Sequence, residues 1–350
     1  MFFNFNDSST EVLFYEDIKS IIKSIILTEN NYYLIDKNVY RIYNDEFKEL
    51  KNVFVLDPIE SNKDINSLIK IVEFLKKKKC NKKSLLISIG GGLTCDLGGF
   101  VSSVFLRGIK SCYIPTTLTA FVDAALGGKT GINFSGIKNY LGTFNHPTKV
   151  LLTTKFLQSL NVTELKSGLV ESLKMGIVLN KKLFELIVLE ASNIFNKNLN
   201  NNILSLIKLS IKTKMKVVEM DVKDKNVRMS LNFGHSFGHA LEQYYENKIS
   251  HGQAVAYGIK AATYFALNIE LIKQDRFDII IKQIDLLIEK FNFENVDINL
   301  LIDKMTFDKK NNINGITIIL PIEKTGYKIL ETNDKNLLKE SFKFALGSIR

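Results

Sequence analysis

The chain has 350 residues, 45% hydrophobic and 24% charged, which suits about two domains with a large buried core. No apolar run approaches the ~18 residues of a membrane span and no secretory signal is visible, so we expect a cytoplasmic protein with no membrane partner. The net charge of +10 suggests an anionic partner. However, only five of the 47 basic residues are arginines, the type preferred for bidentate phosphate recognition, which argues against nucleic acid.

The first ~150 residues alternate β-rich apolar runs with helical segments, which predicts an α/β domain with a mainly parallel sheet. The predicted strands are Tyr32–Ile35, Val53–Leu56, Leu85–Ile89, Cys112–Ile114 and Val150–Thr153, and an amphipathic helix covers Ile65–Leu75.

After Phe156 the pattern becomes mostly helical, so we divide the chain into residues 1–157 and 158–350. The predicted helices are Glu164–Val178, Lys182–Ser192, Asn202–Val218, Phe237–Glu246, Gln253–Leu267 and Arg276–Lys290, and Ile316–Leu320 with Tyr327–Leu330 predict a hairpin.

Two glycine-containing segments stand out in the first domain. Gly90–Gly92 follows a buried strand and precedes a helix, where close backbone approach and free N–H groups suit a phosphate; a tight structural turn is the alternative. Pro115–Asn139 combines hydroxyls, a carboxylate and Lys129, which predicts a loop for polar substrate groups. It is not a phosphate-binding P-loop, because Asp123 occupies the position of the required first glycine.

The rare residue types of the chain are unevenly distributed. The three cysteines are scattered, which argues against disulfides or a thiolate zinc site. Three of the four histidines lie in 17 residues: His235 and His239 share a helix face, and His251 follows. With a distant carboxylate they could form a divalent metal site, for which spacing favours His235 and His239; structural core histidines are the alternative.

Glu171 and Lys174 lie three positions apart on a predicted helix and therefore share a face. A surface ion pair is the ordinary interpretation of this spacing. A role in a site needs support from other segments.

Taken together, these segments resemble the 3-dehydroquinate synthase family of sugar phosphate cyclases, from Asp36 to the C-terminal hairpin. The resemblance implies a Rossmann-like NAD-binding domain, a helical metal-binding domain with the active site between them, and a homodimer. The most specific stretches are Gly90–Asp96, Pro115–Asn139, Gly168–Lys174 and Asn232–His251.

The resemblance assigns the cofactors and their ligands by position. The metal, zinc or cobalt, would be held by Glu171, His235 and His251, whereas His239 would transfer protons on the substrate side. NAD would contact Asp36, Asn38, Glu60, Lys63, Gly91, Gly92, Asp96, Thr116, Thr117, Lys129 and Lys138.

The substrate implied is a small sugar acid phosphate, 3-deoxy-D-arabino-heptulosonate 7-phosphate, which needs cationic partners for its carboxylate and phosphate. Arg107 would reach the phosphate across the dimer interface, and Lys310 (or Lys309) would bind it directly. The full set is Arg107, Asp123, Lys129, Lys138, Asn139, Lys174, Lys214, Arg228, Asn232 and Lys310, of which Lys129, Lys174 and Asn232, with His239, would take part in catalysis.

The implied reaction is a phosphate-eliminating cyclisation. NAD⁺ oxidises a hydroxyl transiently, phosphate is lost, the carbonyl is reduced again, and an intramolecular aldol step closes the ring, so the enzyme is a lyase with no net redox change. The alternatives are a cyclase for a carboxylate-free heptulose phosphate, a metal-dependent alcohol or glycerol dehydrogenase, and a catalytically silent binding protein. The chain departs from the family pattern at Ile137, Asn161, Val222, Asn226 and Gln253.

Overall fold

The computed structural model of this chain describes residues 1–26, 30–198, 201–246, 248–306 and 315–347. Two compact units are present. One comprises Met1–Leu160 with Lys214–Lys223, and the other comprises Asn161–Thr213 with Asp224–Arg350. The division into an NAD-binding domain 1–157 and a metal-binding domain 158–350 stays a prediction about function.

The first unit contains the sheet and the helices that cover it. In chain order its elements are β1 (Phe2–Phe5), β2 (Ser8–Phe14), α1 (Ile18–Ile25), β3 (Asn31–Asp36), α2 (Lys37–Ile42), α3 (Asn44–Phe47), β4 (Val53–Leu56), α4 (Ile65–Lys77), β5 (Leu85–Gly90), α5 (Gly92–Val104), β6 (Lys110–Pro115), β7 (Lys129–Phe134), β8 (Ile137–Phe144) and β9 (Lys149–Leu152).

The main sheet has the order β1-β2-β9-β6-β5-β3-β4. Only the β1–β2 pairing is antiparallel; the other neighbouring strands pair parallel. Successive side chains point to opposite faces, so Tyr33 and Ile35 of β3 enter one hydrophobic cluster while Tyr32 and Leu34 enter another. Both faces are therefore covered, which confirms the predicted α/β domain.

The strand order fixes where a ligand can bind. From β3 the chain adds β4 on one side and then crosses to place β5 on the other side, so the order reverses between β3 and β5. Ligands of open parallel sheets bind at the carboxyl ends of strands at such a reversal. Asp36 and Gly90 end these two strands.

The second unit is mainly helical, as predicted. Asn161, Asn180 and Ser250 begin three of its helices as N-caps, each accepting a hydrogen bond from a first-turn N–H. Its elements are α6 (Val162–Val178), α7 (Lys181–Phe195), α8 (Asn201–Met220, of which Lys214–Met220 belongs to the first unit), α9 (His235–Tyr244), α10 (His251–Asn268), α11 (Gln274–Leu287), α12 (Ile298–Thr306), β10 (Ile316–Pro321), β11 (Tyr327–Thr332) and α13 (Lys335–Ala345).

The structure departs from the sequence prediction in several elements, including the short helices α1–α3 and helix α12, which were not predicted. Pro115–Asn139 is not one loop, because β7 and β8 pair antiparallel within and beyond it. The edge strands β1 and β2 lie outside the predicted set, and α11 ends at Leu287 rather than Lys290. Within the described ranges, no helix is long and apolar enough to cross a membrane.

Candidate active site

One carboxylate and two imidazoles meet in the second unit. Glu171, His235 and His251 each direct a ligand atom into a common point, and these atoms lie within 4.8 Å of one another. Glu171 Oε1 lies 3.9 Å from Nε2 of His235 and 3.4 Å from Nε2 of His251. The cluster combines the middle of α6 with the first residues of α9 and α10.

The donor set fits a divalent metal ion. Ligands at zinc distances in a tetrahedron lie about 3.3–3.5 Å apart. The 3.4 Å spacing between Glu171 Oε1 and His251 lies in this range, and the 3.9 Å spacing to His235 is slightly longer. Mixed carboxylate and imidazole ligands suit Zn²⁺ and Co²⁺. The Glu171 side chain is fully buried, and a buried carboxylate needs a cationic partner.

A second carboxylate, Glu242, faces the other side of the His251 ring. The Nδ1 of His251 lies 3.3 Å from Oε2 of Glu242, whose side chain is 5% exposed. Burial opposes the charged form of His251, but the nearby carboxylates of Glu242 and Glu171 outweigh it and raise the pKa of His251 to about 10. The two carboxylates therefore stabilise a positive charge at the His251 imidazole.

The other predicted residues of this unit surround the cluster. The ammonium group of Lys174 contacts Oε2 of Glu171 and lies 3.5 Å from Nε2 of His235. This pair is buried, so it is not the surface ion pair that its spacing suggested. The ring centroids of His235 and His239 lie 5.2 Å apart, but His239 is not one of the three residues whose ligand atoms meet.

Arg228 and Asn232 lie on the turn of 3₁₀ helix Val227–Asn232 that precedes α9. Arg228 is 2% exposed and has the largest of the fully buried side chains among the described residues. Within the part of the chain that the structure describes, Nδ2 of Asn232 is buried without a hydrogen-bond partner. Both residues could therefore hold an anionic or polar ligand group.

In the first unit, several predicted NAD contacts, among them Asp36, Gly91 and Thr116, lie at the carboxyl edge of the main sheet. Gly91 is the N-cap residue of helix α5. No side chain accepts a hydrogen bond from the first N–H groups of this helix at the N-cap position. Asp36 accepts hydrogen bonds from the N–H groups of Asn38 and Val39, and burial raises the pKa of its carboxyl. Thr117 accepts a hydrogen bond from the N–H of Ala120.

This edge fits a dinucleotide in two respects. The open N-terminus of α5 presents N–H groups suited to a pyrophosphate. In the described residues, the hydroxyl oxygens of Thr94 and Thr116 are buried without hydrogen-bond partners. Both residues lie close to Gly90. A Cβ added to Gly90 would lie 2.6 Å from Thr94 Oγ1, and the backbone N–H of Thr116 donates to the Gly90 carbonyl.

A polar network joins the predicted cofactor and substrate residues of this unit. The buried Lys63 donates to Oδ2 of Asp96 and to Oδ1 of Asn139, both at 2.5 Å. Burial raises the pKa of Asp96, and the charge of Lys63 opposes this rise. Asn133 donates to Oε1 of Glu60 at 2.8 Å, and its Oδ1 accepts from the N–H of Asn139 at 2.9 Å.

The remaining predicted substrate residues are spread over the first unit. Lys214 Nζ donates to Oδ1 and to the backbone carbonyl of Asp123, at 2.7 and 2.6 Å. Lys129 begins β7 and Lys138 lies in β8. Arg107 is exposed, with a left-handed φ of +62°. Lys309 and Lys310 lie outside the described residues.

Sequence reasoning missed one polar residue in each unit. Glu242 occupies the same face of α9 as His235 and His239, so its helical spacing was available as a signal. Asn133 lies in a strand that the sequence did not predict, and nothing local marked it.

Comparison with known proteins links both units to one family. Residues 53–167 match the N-terminal family model of 3-dehydroquinate synthase, and residues 168–311 match its C-terminal model. The 3-dehydroquinate synthase of Clostridium tetani is 35% identical over 93% of this chain and 87% of its own length. That of Picrophilus torridus is 37% identical over 92% of this chain and 93% of its own length.

A solved structure shares the fold. A 2-epi-5-epi-valiolone synthase from Streptomyces hygroscopicus subsp. jinggangensis 5008, with NAD⁺ and Zn²⁺ bound, superposes with a TM-score of 0.90 and 20% identity, covering 99% of both chains. At this identity the likeness speaks for the fold alone. The family models and the two close sequence relatives show that the chain belongs to the 3-dehydroquinate synthase family.

Proposed function

We propose that this protein converts 3-deoxy-D-arabino-heptulosonate 7-phosphate to 3-dehydroquinate and phosphate, using NAD and a divalent metal ion. The observation that carries the proposal is the group Glu171, His235 and His251, of which the first two are buried, in a chain of this family. When bound, NAD⁺ would accept and return a hydride, and the ion would lower the pKa of a coordinated hydroxyl.

The residues of the second unit have separate tasks in this proposal. Glu171, His235 and His251 hold the ion, and Lys174 supplies a positive charge beside it for an anionic group of the substrate. His239, whose ring centroid is 5.2 Å from that of His235, moves protons on the substrate side. Arg228 and Asn232 bind the carboxylate that distinguishes this substrate from a heptulose phosphate.

The residues of the first unit bind the cofactor and the rest of the substrate. Asp36, Asn38, Gly91, Gly92, Thr116 and Thr117 hold the nucleotide at the carboxyl edge of the sheet. Glu60, Lys63 and Asp96 lie in or beside the network that includes Asn139. Lys129, Lys138, Asp123 and Lys214 complete the polar contacts, and Arg107 acts across a homodimer in the cytoplasm.

The decisive experiment supplies the purified protein with NAD⁺, Zn²⁺ and the heptulosonate phosphate and follows phosphate and 3-dehydroquinate. Equal amounts of both, without accumulation of NADH, are the expected result. Turnover of sedoheptulose 7-phosphate but not of the heptulosonate would favour the related cyclase activity. Stoichiometric NADH formation would favour a dehydrogenase, and no reaction with either substrate would contradict the proposal.

A further inference from the structure

We propose that Glu289, just beyond α11, is a positioning residue that ties together the helices carrying Glu171 and His251. It uses its carboxylate towards α6 and its backbone carbonyl towards α10. Both ligands depend on this connection for their separation. The inference rests on the proposed metal site and adds a residue that touches neither metal nor substrate.

The carboxylate of Glu289 fixes the beginning of α6. The hydroxyl of Thr163 donates to both carboxylate oxygens, at 3.1 Å to Oε1 and 2.9 Å to Oε2. Lys166 Nζ lies 3.7 Å from Oε1. Thr163 is the second residue of α6, and Glu171 lies on the same helix about two turns later.

The backbone carbonyl of Glu289 fixes the beginning of α10. Nε2 of Gln253 donates to it at 2.7 Å, and the hydroxyl of Tyr257 donates at 3.2 Å. Gln253 is two residues after His251, the first residue of α10. One residue therefore accepts hydrogen bonds from both ligand-carrying helices.

The place where these helices meet shows why such a connection is needed. A Cβ on Gly252 would lie 2.4–2.5 Å from the atoms of Ser167, so α10 contacts α6 closely next to His251. Thr163, Gln253 and Glu289 line a shallow surface crevice beside this contact. A close contact at one place sets the distance between the helices there but not their angle, and the bonds to Glu289 restrain that angle.

This arrangement also gives a role to Gln253, where the family pattern has glutamate. An ionised carboxylate cannot donate to the Glu289 carbonyl, whereas an amide can. The side-chain amide of Gln253 therefore anchors α10 to Glu289 two residues after His251. The shorter of the two hydrogen bonds to the Glu289 carbonyl therefore requires Gln253.

A double-mutant cycle on metal affinity tests the connection. We would measure the Zn²⁺ dissociation constant of metal-free enzyme by chelator competition for Thr163→Val, Gln253→Met and the double variant. Each single change should weaken binding about fivefold, as expected for losing one orienting hydrogen bond. The double variant should also weaken it about fivefold, because the connection needs the Thr163 and Gln253 hydrogen bonds together and loses most of its effect when either is removed.

Three controls separate this effect from general damage. Thr163→Ser keeps the hydroxyl and should retain wild-type affinity. Gln274→Met makes the same chemical change at an exposed position of α11 and should have no effect. The absorption spectrum of bound Co²⁺ should shift in both single variants, because it reports ligand geometry rather than stability.

The outcomes distinguish this inference from the proposed function. Wild-type Zn²⁺ affinity in either single variant, or a loss of about 25-fold in the double variant, overturns the role of Glu289 and leaves the metal site intact. Failure of the wild-type protein to bind Zn²⁺ overturns the metal site and this inference together.

Discussion

Glu242 and His251 form a carboxylate–imidazole pair, with Oε2 of Glu242 3.3 Å from Nδ1 of His251. The opposite ring nitrogen, Nε2, lies 3.4 Å from Oε1 of Glu171. When Nδ1–H donates to Glu242, the lone pair of Nε2 points to the shared ligand point. Such partners fix the tautomer and orientation of a ligating histidine.

Replacing Glu242 should therefore weaken metal binding without removing a ligand. We expect Glu242→Leu to raise the Zn²⁺ dissociation constant about 10- to 100-fold. Glu242→Gln keeps an acceptor oxygen but not the charge, so its loss should be smaller. Chelator competition measures both, with exposed Gln243→Leu on the same helix as the control. Equal affinity in Glu242→Leu and wild type would contradict this role.

The buried ion pair between Glu171 and Lys174 predicts a loss of stability as well as of metal. Glu171→Ala should bind no Zn²⁺ and should lose about 3–5 kcal/mol of unfolding free energy, because Lys174, 2% exposed, keeps an unpaired charge. Adding Lys174→Met should restore much of that loss without restoring metal. Urea unfolding and metal analysis measure the two effects. Unchanged zinc content in Glu171→Ala would refute the ligand assignment.

The metal cluster was only partly predictable from the local sequence. The clustering of histidines correctly included His251 among the candidates, but helical spacing favoured His235 and His239 as the ligand pair, because His251 lies on another helix. The burial of Glu171 was equally hidden, since an i, i+3 acid–base pair is typical of surfaces. The family resemblance supplied the grouping that the structure then brought together.

The first unit shows the complementary case. Its buried parallel strands were predictable because short continuous apolar runs bounded by turn residues are typical of buried strands. Strand β8 was missed because most of its side chains are partly or fully exposed, so it has no continuous apolar run. The network of Lys63, Asn133 and Asn139 depends on that hairpin and was therefore invisible in the sequence.

The burial of the three cysteines predicts that their thiols are unreactive in the folded protein. Burial raises the pKa of Cys112 from 9.0 to about 12, against an opposing effect of Lys149. Its protonated form is favoured in the folded state, so the stability that it contributes is complete below pH 9 and is lost as the pH rises towards 12. At pH 8, iodoacetamide should label Cys112 only after unfolding, as mass spectrometry can show. Rapid labelling of the folded protein would contradict the observed burial.

The last prediction concerns Asn133, which joins Glu60 to Asn139 through both ends of its side chain amide. Asn133→Leu keeps the size but removes both hydrogen bonds, which together should cost about tenfold in affinity. Because Glu60 and Asn139 belong to the proposed cofactor and substrate contacts respectively, the KM values for NAD⁺ and substrate should both rise.

The Zn²⁺ affinity of Asn133→Leu should stay at the wild-type value, because no metal ligand belongs to this network. Ser135→Ala, in the turn after the same strand, is the matched control and should leave both KM values unchanged. Steady-state kinetics and chelator competition separate these effects. A change confined to Zn²⁺ affinity, or equal losses in Ser135→Ala, would show that Asn133 does not couple the two sets of contacts.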